Sequence, residues 1–181
     1  MDNILSDLSE ARLGDAARTN LYAFFRYTRR APSVTLWEDE RLSRWRTPLP
    51  HYWFQGVLSR AAAEPDEGAM IEAMTGYFRQ QGVESFAWWL APGMPVEGWD
   101  RQLKAHGFEH RANTPDMALA LSDLPVAPPV PAGLDIRTVN GLDDLRTWTQ
   151  TFVIGYELDR NSVLSEAARA VKRGPGVVTC T

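Results

Sequence analysis

The stretch VLSRAAAEPDEGAMIEA, residues 57–73, decides how the first part of this chain folds. It reads as the end of a β-strand, a turn and the start of a helix. Pro65 fits the first helical turn, and Asp66 and Glu67 follow where the helix dipole favours negative charge. In many α/β proteins the free backbone N–H groups at such a junction hold an anion. The sequence therefore raises the question of whether this turn binds an anion or only connects two elements.

Upstream of this stretch the sequence predicts one helix and three strands. The helix covers 4–29, where leucine and phenylalanine recur at helical spacing. The short strands VTLWED and LSRWRT follow, with a charged turn between them that is typical of a hairpin. The segment HYWFQGVLS, 51–59, is predicted to be a strand covered on both faces, because it is rich in aromatic residues and apolar on both sides. Its alternation places four side chains on one face: His51, Trp53, Gln55 and Val57.

Downstream the pattern alternates between helix and strand. A helix that begins at Pro65 ends at Gly82, which fits the position just after a helix. ESFAWWLAP, 84–92, is a predicted strand, and VEGWDRQLKAHGF is a short helix that stops at Gly107 and turns Val96, Trp99 and Leu103 inward. TPDMALALSDL is a further predicted strand, with Met117, Leu119 and Leu121 on one side. This order predicts an α/β protein of the α+β kind, with a mixed, mostly antiparallel central sheet flanked by helices.

A proline-rich segment, PVAPPVPAG at 125–133, divides the chain. Such segments are stiff and extended, so we interpret it as a linker between a first domain, 1–124, and a second part, 134–181. The second part reads as the strand LDIRTV, a helix over 142–156 and a helix from near Ser162. The inward side chains predicted for the helix over 142–156 are Leu142, Leu145, Trp148, Phe152 and Tyr156. One strand and two helices cannot bury their own apolar faces, so we expect them to dock on the first domain, on a second copy of the chain or on a missing C-terminal domain.

The composition limits the classes of function. A net charge of −4 argues against nucleic-acid binding, which needs a concentrated positive face. The single cysteine, Cys180, excludes an internal disulfide, and the three histidines lack the spacing of a metal site. The N-terminal MDNILSDLSE has no signal-peptide pattern, and the longest apolar stretch is too short to span a bilayer. We therefore expect a cytoplasmic protein without metal, nucleic-acid or membrane partners.

Three segments carry a resemblance to a known family. YFRQQGVESFAWWLAP and LKAHGFEHRANTPDMALAL, in the order strand, helix, strand, helix, Gly-Phe, strand over 51–121, resemble the second half of a GCN5-related N-acetyltransferase (GNAT) domain. GLDIRTVNGLDDLRTWTQTFVIGYEL resembles the first strand and helix of a second such domain. The chain thus resembles tandem proteins in which a degenerate N-terminal GNAT-like domain precedes a competent one. The resemblance implies acetyl-CoA-dependent N-acyl transfer as the activity of the family.

The resemblance also identifies the turn that would hold acetyl-CoA. In the family the matching strand leads into a loop of the form Arg/Gln-x-x-Gly-x-Gly/Ala, whose glycines let the backbone approach the pyrophosphate. Here Arg60 matches the leading position, and the candidate cofactor-binding residues are Arg60, Ala61, Ala62 and Ala63. Ala63 replaces the first glycine, Pro65 lacks a backbone N–H, and Glu64, Asp66 and Glu67 bring negative charge to the helix start. We predict that this turn is a connection and that the chain lacks a complete acetyl-CoA site.

The chemistry of an acetyltransferase is not evident in the side chains. Such an enzyme needs a base for the amine, yet the polar residues predicted on the strand 51–59 include no carboxylate. No catalytic residue is assigned, and His51 is interpreted as a structural residue. If a small-molecule pocket exists, the expected lining is Trp53, Gln55 and Trp89. Two hypotheses therefore remain beside a degenerate GNAT-like domain: an acyltransferase with an atypical loop, and a non-enzymatic binding or dimerisation module with the same fold.

Overall fold

The computed structural model describes residues 5–64, 67–115, 117 and 131–156. They form two compact units, residues 5–115 and the segment of 117 with 131–156. The elements of the first unit are α1 (Glu10–Thr28), β1 (Thr35–Glu38), β2 (Leu42–Arg46), a 3-10 helix (Tyr52–Phe54), β3 (Gly56–Ser59), α2 (Gly68–Gln80), β4 (Ala87–Leu90) and α3 (Val96–Ala105). The second unit contains α4 (Gly141–Gly155). The predicted linker lies mostly outside the described residues, so the domain boundary stays a prediction.

The sheet of the first unit has the order β1-β2-β3-β4. The pairs β1–β2 and β2–β3 are antiparallel, and the pair β3–β4 is parallel. Parallel neighbours need a crossover connection, and α2 supplies it between β3 and β4. The predicted mixed, mostly antiparallel sheet with flanking helices is therefore confirmed.

Helix α1 covers one face of the sheet. Its Phe25 is buried against Trp45 of β2, Leu58 of β3 and Ala91 just after β4. The ring centroids of Phe25 and Trp45 are 4.2 Å apart. An aromatic pair at this distance adds to the free energy gained by removing both rings from water. This contact fixes α1 across the middle of the sheet.

Helices α2 and α3 cover the other face. Phe78 of α2 is buried with Leu42 and Val57 of the sheet. Ile71 of α2 is buried with Trp99 and Leu103 of α3, and these two clusters share partly buried side chains that include Trp88. The sheet therefore lies between two helical layers, and all four residues of β3 are buried. The doubly covered strand predicted from the sequence is confirmed for these four residues.

Both α2 and α3 end in the same glycine-dependent way. Gly82 follows α2 with φ 70°, and Gly107 follows α3 with φ 84°. The N–H of Val83 donates to the Phe78 carbonyl, and the N–H of Phe108 donates to the Leu103 carbonyl, each at 3.0 Å. These are the bonds of a Schellman motif, which favours glycine because its αL residue has no Cβ to clash. The two helix ends predicted at these glycines are confirmed.

Three predictions for the first unit are wrong: the first residue of α1, the first residue of β3 and the burial of Val96. Helix α1 begins at Glu10, because Asp7 Oδ1 accepts a hydrogen bond from the N–H of Ser9 at 2.9 Å and forms a turn instead. The strand predicted from 51 begins only at Gly56, because the segment before it forms the 3-10 helix. Val96, predicted inward, is 50% exposed, whereas Trp99 and Leu103 are buried as predicted.

The second unit differs more from its prediction. Residues 134–139, predicted as a strand, form no regular structure and are exposed. Helix α4 matches the predicted helix in position, but the side chains it buries are Thr149 and Val153. Of the predicted inward residues, Leu145 and Phe152 are half-buried, and Leu142, Trp148 and Tyr156 are exposed. Met117, predicted on a strand, is 94% exposed, and Leu119, Leu121 and the helix near Ser162 lie outside the described residues.

Candidate functional site at the β3–α2 turn

The turn singled out by the sequence leads from the buried end of β3 into the N-terminus of α2. Ser59, the last residue of β3, is wholly buried, and α2 begins at Gly68. Residues 65 and 66 of this turn lie outside the described residues.

Arg60 points away from the turn. Its backbone N–H donates to the Arg41 carbonyl at 2.7 Å. Its guanidinium donates to the Asp39 carbonyl at 2.9 Å, lies 3.5 Å from Glu38 Oε1 and covers the ring of Tyr22 at 4.7 Å. The side chain is therefore used to join β3 to the β1–β2 hairpin and to α1.

Ala61 and Ala63 face α3. The Ala61 carbonyl accepts a hydrogen bond from Trp99 Nε1 at 3.1 Å. Ala63 packs on the buried cluster of α2 and α3, and a Cβ placed on Gly98 of α3 would meet the Ala63 Cβ at 3.0 Å. Small residues in this part of the turn thus allow α3 to approach closely. Ala62 makes no polar contact among the described residues that would give it a separate role.

Glu67 is the last residue of the turn, immediately before α2. Its side chain is 0% exposed, and Oε1 accepts a hydrogen bond from the backbone N–H of Glu64 at 2.7 Å. The same oxygen accepts a short hydrogen bond from Arg41 Nη2. Arg41 Nη1 also lies 3.2 Å from the exposed carboxylate of Glu64. A carboxylate of the protein itself therefore takes the backbone donor and the guanidinium that an external anion would use.

The second oxygen of this carboxylate differs from the first in its surroundings. Glu67 Oε2 is buried and has no hydrogen-bond partner among the described residues. Leaving a buried acceptor unpaired costs on the order of 1–3 kcal/mol. The charge of Arg41 and the N-terminus of α2 offset this cost, since both favour a negative group at this position.

Strand β3, which leads into the turn, is paired along its whole length with the parallel strand β4. The register of β3 and β4 runs from Gly56 opposite Ala87 to Ser59 opposite Leu90. Trp88 Nε1 donates to Ser59 Oγ at 2.8 Å and ties the same ends together by side chains. A ligand could insert between these strands only if these bonds were broken.

The predicted small-molecule lining is brought together only in part. The rings of Trp53 and Trp89 meet edge to face with centroids 5.7 Å apart, and Trp53 is 40% exposed. Gln55 is buried, and its Nε2 donates to the Ser85 carbonyl at 3.3 Å. Gln55 therefore has a structural hydrogen bond.

The histidines have local structural roles. His51 Nδ1 accepts a hydrogen bond from the N–H of Trp53 at 3.3 Å, and burial lowers the pKa of His51 below its ordinary value. His106 Nδ1 donates to the Gln102 carbonyl at 2.8 Å at the end of α3. His110 Nε2 lies 3.0 Å from Asn113 Oδ1. Within the part of the chain that the structure describes, no three His, Cys, Asp or Glu side chains are arranged to hold a metal ion.

Two surface hollows lie apart from the turn. One, of about 500 Å³, is bordered by the end of α2 and the segment from Gly82 to Phe86. The other, of about 360 Å³, lies between α2 and His106. Both include Thr75 and Arg79, and both are wide open to solvent. Neither includes a residue of the turn or of the Trp53–Trp89 pair.

Comparison of the chain with protein-family models, with curated proteins and with solved structures yields no match. Among the described helices, none has both the length and the apolar character needed to cross a bilayer.

The sequence analysis identified the turn and its acidic residues but did not predict the hydrogen bond from Arg41 to Glu67. Arg41 lies 26 residues before Glu67, and nothing in the local pattern relates the two. The available signal was the position of Glu67 immediately before α2, where a carboxylate is favoured by the helix N-terminus.

Proposed function

We propose that the first unit is a GNAT-like domain that has no complete acetyl-CoA site and that it serves a non-catalytic role. The order β3, α2, β4, α3, Gly107-Phe108 supports the resemblance noted in the sequence. The activity of the family is acetyl-CoA-dependent N-acyl transfer. In this chain the turn that would hold the cofactor contains a buried carboxylate.

The observation that carries this proposal is the Glu67 carboxylate at the turn. A pyrophosphate bound there would lie close to the charges of Glu64 and Glu67, and like charges at short range oppose binding. It would also compete for Arg41 and for the Glu64 N–H, which are already bonded. The complete pairing of β3 with β4 supports the same conclusion.

Thermal unfolding in the presence of acetyl-CoA tests the proposal. A ligand at one hundred times its Kd stabilises a protein by about 2.7 kcal/mol, which is a readily measured rise in Tm. We expect no rise with millimolar acetyl-CoA or coenzyme A. An active acetyltransferase of the family, measured in the same buffer, is the positive control. A saturable rise for this chain would contradict the proposal and favour an acyltransferase with an atypical loop.

A second candidate function is assembly through the sheet edge. Within the described residues β1 pairs with β2 on one side only, and its Trp37 is 44% exposed. An unpaired edge can add a strand from another chain. Pairing with a second copy would place this protein among binding or dimerisation modules. Size-exclusion chromatography over a hundredfold range of concentration tests this alternative, because a monomer at every concentration would contradict it.

A further inference from the structure

The Glu67 carboxylate has the surroundings of a bound anion. It is wholly buried, it accepts from one backbone N–H and one guanidinium, and it lies at the N-terminus of α2. Glu67 is the N-cap residue of α2, and its side chain accepts from the N–H of Glu64, before the helix, and makes no capping hydrogen bond to the helix itself. Within the part of the chain that the structure describes, Oε2 of this carboxylate has no donor. Packing alone does not require a charged side chain at this buried position.

We propose that Arg41 and the backbone N–H of Glu64 form an anion site whose resident anion is the Glu67 carboxylate. When that carboxylate is removed, the site binds a small external carboxylate such as acetate. This inference rests on the contacts of Glu67 and is independent of the relation to the GNAT family.

The chemistry of the vacated site defines its ligand. The change Glu67→Ala removes the atoms of one acetate ion, while the Glu64 N–H and Arg41 remain as donors. The α-helix N-terminus adds a partial positive charge. The Arg41 side chain is 33% exposed and keeps its contact with Glu64 through Nη1, whereas Nη2 loses its acceptor, so an anion of the correct size regains the interaction that Nη2 and the Glu64 N–H have lost. Acetate matches the removed atoms, whereas a bulkier carboxylate such as benzoate exceeds the space.

The test compares Tm values of the full chain in sodium acetate and in sodium chloride of equal ionic strength. For Glu67→Ala we expect a lower Tm than for the unchanged chain and a saturable rise of about 3–5 °C with acetate. Benzoate should give a smaller rise than acetate. The unchanged chain should show no acetate-specific rise.

Two matched variants separate the site from general salt effects. Glu67→Gln keeps the space filled and should not respond to acetate. Glu64→Ala removes the exposed carboxylate that also pairs with Arg41 and should likewise not respond, because Glu67 still occupies the site. An equal acetate response in all variants, or none in Glu67→Ala, would overturn the proposal.

If Glu67→Ala does not fold in chloride, the same question is answered by refolding. The recovered fraction of folded chain, measured by circular dichroism, should then increase with acetate and not with chloride. A variant that stays unfolded at every acetate concentration would contradict the inference. Binding of acetyl-CoA by the unchanged chain would refute the proposed function but would leave the acetate result unaffected.

Discussion

At the residue scale, His51 shows how one side chain redirects the backbone. The aromatic content of 51–59 and its apolar character on both faces predicted a strand from 51, but His51 Nδ1 accepts from the N–H of Trp53 and begins a 3-10 helix. A side chain that bonds to a nearby backbone group offers an alternative to the strand ladder. The ring of His51 also stacks on Tyr52, with centroids 4.4 Å apart. The hydrogen bond favours the neutral imidazole, because the accepting nitrogen carries no proton.

This contact predicts a pH dependence of stability. Burial lowers the pKa of His51 in the folded chain below its ordinary value of 6.5. As pH falls, the unfolded chain takes up this proton before the folded chain does, so the stabilisation is complete above pH 6.5 and is lost as pH decreases below it. We therefore expect the free energy of unfolding, measured with urea, to decrease more between pH 7.5 and pH 5.5 for the unchanged chain than for His51→Asn. The asparagine keeps a hydrogen-bond acceptor but does not titrate. Equal losses in the two proteins would show that His51 does not contribute.

At the element scale, the features that the sequence predicted correctly are local ones. The ends of α2 and α3 depend on glycine within one turn of the helix, so Gly82 and Gly107 were identified from the pattern alone. The segment 134–139 has strand-like composition, but a strand needs a partner, and none is paired with it among the described residues. The inward face of α4 was misplaced for a similar reason, since the face that a helix buries depends on its neighbours.

Replacement by alanine should change the free energy of unfolding in opposite directions at Gly107, which follows α3, and at Gly76, which lies inside α2. Gly107 has φ 84°, a conformation that costs a residue with a Cβ about 1–2 kcal/mol, so Gly107→Ala should lower the free energy of unfolding by about that amount. Gly76 lies inside α2 with open space where a Cβ would be placed, so Gly76→Ala should raise it by about 0.5–1 kcal/mol. Urea unfolding at one pH measures both changes. A loss of stability in Gly76→Ala would contradict the assignment of that position to a helix interior with free space.

At the scale of the whole molecule, the sequence predicted the class of fold and the location of the turn, but not what closes the turn. The mixed sheet follows from the order of strands and helices, because a helix between two strands permits parallel pairing. The contact of Arg41 with Glu67 joins the start of β2 to the start of α2, and such a contact depends on the completed sheet. Trp53 and Trp89 also meet only through the fold, on the 3-10 helix and on β4. The candidate site was therefore predictable as a position and not as an arrangement of atoms.

The distribution of burial predicts which parts of the chain open last. Strand β3 is bonded to β2 on one side and to β4 on the other, and Val57, Leu58 and Ser59 are wholly buried. Exchange of such amides with solvent requires extensive unfolding, whereas exposed and unpaired amides exchange from the native state. Hydrogen–deuterium exchange should therefore be slowest in β3, faster in the edge strand β1 and fastest at 134–139, which is exposed. Because β1 and β3 belong to the same sheet, β1 is the matched control within one sample. Exchange in β3 as rapid as in β1 would mean that the sheet opens at its centre. The contacts of Glu67 with Arg41 and with the Glu64 N–H, which follow β3, could not then be a stable feature of the protein.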